Sequence, residues 1–74
     1  MDFQSIKLKG DFITTLKLMY ESEIAKSKTN IDVYLKNPAG IGEHPDLVSA
    51  VDEQIDHMAH AHDKLEVLKN YYEG

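Results

Sequence analysis

The chain has 74 residues, a formal net charge of −5 and no cysteine. A chain this short makes one small domain over residues 1–74. Without disulfides or thiolate metal ligands it needs another source of stability, such as a partner chain. All eight basic residues are lysines, so the chain lacks the guanidinium fork that reads phosphates and guanine edges. We therefore expect no direct binding of nucleic acid.

Residues 1–10 open the chain with an alternating pattern. Ile6 and Leu8 alternate with polar residues as far as Gly10, which predicts a short extended arm. No apolar run here resembles a signal peptide, and no stretch approaches membrane-spanning length. The sequence thus predicts a cytoplasmic protein with no membrane partner and an arm before its first helix.

The first predicted helix covers residues 11–36. Asp11 is a suitable N-cap, and apolar residues then recur at steps of three and four, which is one face of a helix. Asn37-Pro38 ends this helix because proline cannot continue the hydrogen-bond ladder. The residues that we expect at the core or at an interface on this helix are Ile13, Leu16, Tyr20, Ile24, Ile31 and Tyr34.

A turn is predicted over residues 37–44, and a second helix over residues 45–72. Pro45 suits the first helical position, where its missing N–H has no cost. Asp46 suits the first turn, because the helix dipole favours a carboxylate there. The core or interface residues predicted on this helix are Val51, Ile55, Met58, His62, Leu65, Leu68 and Tyr72.

The short connection requires the two helices to lie antiparallel. Both apolar stripes are wider than one neighbouring helix can cover. The predicted fold is therefore an all-α, antiparallel two-helix hairpin. We expect it to complete a four-helix bundle or coiled coil by forming a homo-oligomer, with a dimer favoured.

Three histidines of the second helix lie among carboxylates. Asp56 and His60 are four residues apart and are weak candidates for metal ligands. The Glu-x-x-His pattern of di-iron bundles is absent, so we predict a solvated acidic face with no metal and no cofactor. His62 differs, because it interrupts the apolar stripe. There it would find a polar neighbour, fix the register or respond to pH.

Three further residues are candidates for contact with a partner protein. His44 has no evident role in the turn, Asp46 lies at the start of the second helix, and Tyr71 belongs to a terminal aromatic pair. Catalysis has little support, because there is no cysteine nucleophile and Ser49 lacks the strand–turn–helix context of a catalytic serine. The chain is therefore not expected to be an enzyme.

The run from Asp32 to Asp46, followed by residues 63–68, resembles a group of small uncharacterised proteins of large tailed bacteriophages. The turn Asn-Pro-x-Gly-Ile-Gly-Glu-His-Pro-Asp is the most specific part, and the similarity covers roughly residues 30 to 70. The resemblance implies a phage origin and an accessory role, in the host cytoplasm or in the virion. It carries no assigned activity and no functional residues.

The leading hypothesis for function is a non-enzymatic protein-interaction module that packs on itself or on a host or phage protein. An acidic nucleic-acid mimic is one alternative, because seven carboxylates follow Pro45 and face only Lys64 and Lys69. A metal- or small-ligand-binding helical bundle around the three histidines is the other.

Overall fold

The structure is a computed structural model that describes residues 3–37 and 46–73, with side chains from residue 8 onward. These residues form two helices and no strand: α1 spans Phe3–Lys36 and α2 spans Leu47–Tyr72. The helices pack against each other as a hairpin that measures 57 × 17 × 15 Å between its Cα atoms. The predicted all-α hairpin is confirmed. Neither helix is long and apolar enough to cross a membrane.

The start of α1 corrects the prediction of an extended arm over residues 1–10. The helix begins at Phe3, eight residues before Asp11, and runs through Gly10 with a φ that is not positive. A glycine costs a helix interior only about 1 kcal/mol relative to alanine. Since no proline interrupts this stretch, one glycine is too weak a signal to delay the helix to Asp11.

The end of α1 lies at Lys36, as predicted. The backbone N–H of Asn37 donates to the carbonyl of Val33 at 3.0 Å, which closes the last turn. Lys36 places a positive charge near the negative end of the helix dipole. The rest of the predicted turn, from Pro38 to His44, and the neighbouring Pro45 lie outside the described residues.

The start of α2 lies two residues later than predicted, because Asp46 is its N-cap and not a residue of its first turn. The Asp46 carboxylate accepts a hydrogen bond from the Ser49 hydroxyl at 2.6 Å and one from the Ser49 backbone N–H at 3.0 Å. These bonds hold the pKa of Asp46 below its ordinary value of 3.8, and the bond from the Ser49 hydroxyl has the larger effect. The end of α2 at Tyr72 agrees with the prediction.

Cross-helix contacts set the antiparallel register. They are the side-chain hydrogen bond Asn30–Gln54 at 3.1 Å, the ammonium of Lys64 at 5.8 Å from the centre of the Tyr20 ring, and the ion pair Lys17–Glu73 at 3.5 Å. Because Lys17 already lies near Glu73, the first turns of α1 extend beyond the end of α2. We call this end of the hairpin, where Phe3 and Tyr72 lie, the open end.

The core between the helices is thin. Among the described side chains the buried residues are Ser27, Ala61, Leu65 and Leu68. Two of these four are small, so they remove little apolar surface from water. The large hydrophobic residues that stay exposed are Leu8, Phe12, Leu18, Met19, Val33, Leu35, Val48, Ile55, Val67, Tyr71 and Tyr72. The described hairpin therefore leaves many of its large apolar side chains in contact with solvent.

Candidate interaction surfaces

The buried stripe of α2 passes through Ala61. From Met58, a step of three reaches Ala61 and a step of four reaches His62, and both lead on to Leu65, so the spacing fits either residue. In the structure Ala61 is 0 % exposed, whereas His62 is exposed. Sequence reasoning missed Ala61 because a single methyl group adds little to an apolar pattern.

The predicted core and interface residues differ in how far the hairpin covers them. Ile55, His62 and Tyr72 are exposed in the hairpin, so a second chain would have to bury them, and their interface role stays a prediction. Leu65 and Leu68 are buried. The half-buried members of the set are Ile13, Leu16, Tyr20, Ile24, Ile31, Tyr34, Val51 and Met58.

One side of the hairpin carries a shallow groove with mainly aliphatic walls. It consists of two adjoining depressions that share Ile55. Val48 is 80 % exposed and Ile55 is 50 % exposed, so these walls face solvent. We call this surface the aliphatic groove, and its lining residues are Ile24, Leu35, Leu47, Val48, Val51, Asp52, Ile55, Met58, Ala59, His62, Asp63 and Glu66.

The opposite side carries a polar groove in the middle of the hairpin. His57 lines this groove and His62 lines the aliphatic groove, and five residues along a helix turn the side chain by about 140°. The Asn30–Gln54 hydrogen bond lies in its floor. The residues of the polar groove are Glu23, Lys26, Ser27, Asn30, Gln54, His57, His60 and Lys64.

A third groove lies at the open end and meets the polar groove at Lys64. It has a volume of about 480 Å³, and apolar and aromatic side chains form most of its wall. Phe12 is 68 % exposed, which leaves the groove open to solvent. We call it the open-end groove, and its lining residues are Lys9, Phe12, Ile13, Leu16, Tyr20, Asp63, Lys64, Val67, Leu68 and Tyr72.

The histidines of α2 do not come together in one site. His57 and His60 line the polar groove, whereas His62 lies in the aliphatic groove. The weak metal candidates Asp56 and His60 are 3.8 Å apart at their nearest atoms, too far for a hydrogen bond. Within residues 8–37 and 46–73, no group of three or more His, Asp or Glu side chains is placed to hold a metal ion.

The candidate partner residues have different positions. Tyr71 is 75 % exposed near the end of α2, where a partner chain has free access to it. Asp46 is exposed, but its carboxylate is occupied by the two hydrogen bonds to Ser49 that cap α2. The position of His44 falls outside the described part of the chain.

The carboxylates of α2 line its outer surface. Asp52, Asp56, Asp63 and Glu66 are all exposed, and all but Asp56 also line the aliphatic groove. A charged outer stripe is the normal solvated face of an amphipathic helix. The role of an acidic nucleic-acid mimic therefore stays a prediction.

Taken together, these features define a small α-helical hairpin with uncovered apolar grooves on two sides. Comparison of the chain with protein-family models, with curated proteins and with solved structures finds no match. The resemblance of residues 30–70 to a phage family stays a prediction.

Proposed function

We propose that this chain is a non-enzymatic protein-interaction module that acts through helix packing, on a second copy of itself or on a partner protein. The aliphatic groove is the observation that carries this proposal. Its apolar walls include Val48 and Ile55, which are 80 % and 50 % exposed in the described hairpin. Covering such a surface is the main favourable contribution to most protein associations.

The thin core supports the same proposal. A chain of 74 residues that buries so few large side chains gains little stability by folding alone. A side of the hairpin measures 57 by 17 Å between Cα atoms, an outline comparable to the roughly 800 Å² per partner of a standard interface. Two hairpins packed face to face through this groove form a four-helix bundle with two-fold symmetry.

The chemistry of the surface supports a binding role and not a catalytic one. Described carboxylates and histidines such as Asp56 and His60 lie on open helix surfaces. Acid–base catalysis usually relies on groups whose pKa is tuned by burial and neighbours. The phage resemblance adds that the partner is a host or phage protein and that the role is accessory.

Chemical cross-linking tests the proposed interface. The chain has no cysteine, so Ile55→Cys introduces a single thiol at the residue that both parts of the aliphatic groove share. A short bis-maleimide reagent should join two copies of this variant through the groove. Leu18→Cys is the matched control, because Leu18 is 62 % exposed and lines none of the grooves described above.

The expected result is a high yield of cross-linked dimer for Ile55→Cys and a low yield for Leu18→Cys at the same micromolar concentration. Equal yields from the two variants would mean random collision, and self-association through the aliphatic groove would be rejected.

A further inference from the structure

The open-end groove and the polar groove form one continuous surface that changes from apolar to polar at Lys64. Toward the open end its walls are hydrocarbon and aromatic rings. Toward the middle of the hairpin they are amide, imidazole and ammonium groups. A surface with this division matches a ligand that is itself divided into an apolar part and a polar part.

The charges at the border favour an anion. The Lys64 ammonium lies 5.8 Å from the centre of the Tyr20 ring, a cation–π distance, and Lys26 lines the adjoining polar groove. Neither lysine forms an ion pair with a carboxylate in the described part of the chain, whereas Lys28 pairs with Asp32 at 3.1 Å. In the polar groove two lysines, Lys26 and Lys64, face one carboxylate, Glu23. The open-end groove adds Asp63 and, at its far end, Lys9.

The shape of the apolar part favours a long, thin ligand. Its volume of about 480 Å³ lies within the range of small-molecule sites, roughly 300–1,000 Å³. Lys9 and Tyr20 line its two ends on α1, and eleven residues of helix span about 16 Å. A groove that follows the seam between two helices over this length suits an extended alkyl chain better than a compact ring system.

We propose that this surface binds a single-tailed anionic amphiphile. The tail lies along the open-end groove between Phe12 and Val67, and a carboxylate or phosphate head lies at Lys64 and Lys26. Release of water from the tail supplies most of the affinity, and the lysines fix which way the ligand points. The aliphatic groove lies on the other side of the hairpin and shares only Asp63 with this surface, so self-association through it leaves this surface open.

Calorimetric titration of the full chain tests the proposal with three probes that share one tail. Dodecanoate and dodecyl phosphate carry anionic heads, and dodecyltrimethylammonium carries a cationic head. Below their micelle-forming concentrations, we expect saturable binding of one anionic probe per chain, about fivefold tighter than the cationic probe. The tighter of the two anions identifies the head group as carboxylate or phosphate.

Substitutions locate the binding surface. Lys64→Gln should weaken the anionic probes about two- to fivefold and leave the cationic probe no weaker. Lys28→Gln removes the same charge from an ion-paired lysine outside these grooves, and the affinity for all three probes should stay unchanged. Phe12→Ser should weaken all three probes, with circular dichroism to verify that the helices persist.

Three results would overturn the proposal. The first is no saturable binding of either anionic probe, and the second is equal affinity for the cationic probe. The third is an identical change in affinity for the anionic probes in Lys64→Gln and Lys28→Gln. That result would show that the charge of Lys64 takes no part in binding.

Discussion

The aliphatic groove and the open-end groove are built by the same two helices, but their chemistry differs. The aliphatic groove presents branched aliphatic side chains such as Val48 and Ile55, with ionisable groups at its edges. The open-end groove combines the rings of Phe12 and Tyr20 with the ammonium of Lys64. A mainly aliphatic surface is complementary to another apolar surface, whereas an apolar surface with a cation at its border selects a ligand with an anionic end.

This difference arises from the width of the apolar stripes. Each apolar stripe is wider than the contact between the two helices. The helices therefore bury only the middle of each stripe and leave exposed residues on both of its edges. On each side of the hairpin, the exposed edge of the α1 stripe lies next to the exposed edge of the α2 stripe. The antiparallel register then decides which side chains share a groove, as with Tyr20 and Lys64. One hairpin thereby obtains two surfaces with separate binding preferences.

The largest expected effect is on the aliphatic groove. The double substitution Val48→Glu, Ile55→Glu places unpaired carboxylates in the proposed interface, where burial of a charge is costly. We expect self-association to weaken by at least about 100-fold, or about 3 kcal/mol, as measured by sedimentation equilibrium. Both residues are exposed in the hairpin, so the substitutions remove no buried side chain from between its own two helices.

The control for this variant is the double substitution Leu18→Glu, Val33→Glu, which adds the same two charges at exposed apolar residues outside the grooves. Its self-association should match that of the wild type. If the control dissociates as readily as the Val48→Glu, Ile55→Glu variant, net charge is responsible and the aliphatic groove is not the interface.

A smaller effect in the opposite direction is expected at His62. In the hairpin His62 is exposed beside the aliphatic groove, so His62→Leu extends the apolar surface without filling a core position. We expect self-association to tighten about fivefold, equivalent to about 1 kcal/mol. His57→Leu makes the same change on the polar side and should leave the dissociation constant unaltered. The same tightening from both variants would contradict the assignment of the two sides.

The open-end groove depends on the first turns of α1, and Gly10→Ala tests whether those turns are helical. A methyl group at Gly10 meets no atom within 4 Å, so the gain in helix propensity should appear in full. We expect the free energy of unfolding to rise by about 0.5–1 kcal/mol, as measured by urea denaturation. An unchanged midpoint would mean that residues around Gly10 are not helical in solution.

A modest effect on stability is expected at Asp46, the N-cap of α2 beside the aliphatic groove. Asp46→Ala removes the acceptor for both Ser49 hydrogen bonds and should lower the thermal midpoint, whereas Asp46→Asn keeps a good N-cap and should lower it less. Since folding lowers the Asp46 pKa, its stabilisation is present above the ordinary value of 3.8 and is lost as pH falls through the lower folded-state value.

Thermal melts at neutral and acidic pH measure this contribution. The difference between wild type and Asp46→Ala should shrink as the carboxylate protonates. A difference that is the same at both pH values would show that the charge of Asp46 does not stabilise α2.

Much of the fold is predictable from the chain because its signals are strong and local. The three-and-four periodicity predicts both helices, and Asn37-Pro38 correctly predicts the end of α1 at Lys36. The start of α1 is mispredicted because two alternating residues and one glycine imitate an extended arm. The start of α2 is predicted two residues too early, because an aspartate is favoured both as an N-cap and in the first turn.

The grooves are less predictable, because they depend on how the two helices are rotated and aligned. Steps of three and four are compatible with either Ala61 or His62 in the contact between the helices. Which of the two is buried decides which residues stay exposed on each side of the hairpin. The sequence identifies Ile55 and Met58 as apolar but does not reveal that they share a groove with Ile24. The pairing of Lys64 with Tyr20 likewise follows from the register alone.

We propose that this hairpin acts by packing its aliphatic groove against another chain, first of all against a second copy of itself. Light scattering over a range of micromolar concentrations, with circular dichroism on the same samples, tests it most directly. We expect a helical species with the mass of two or more chains, which loses helix as dilution separates them. A fully helical monomer that persists at every concentration would contradict it.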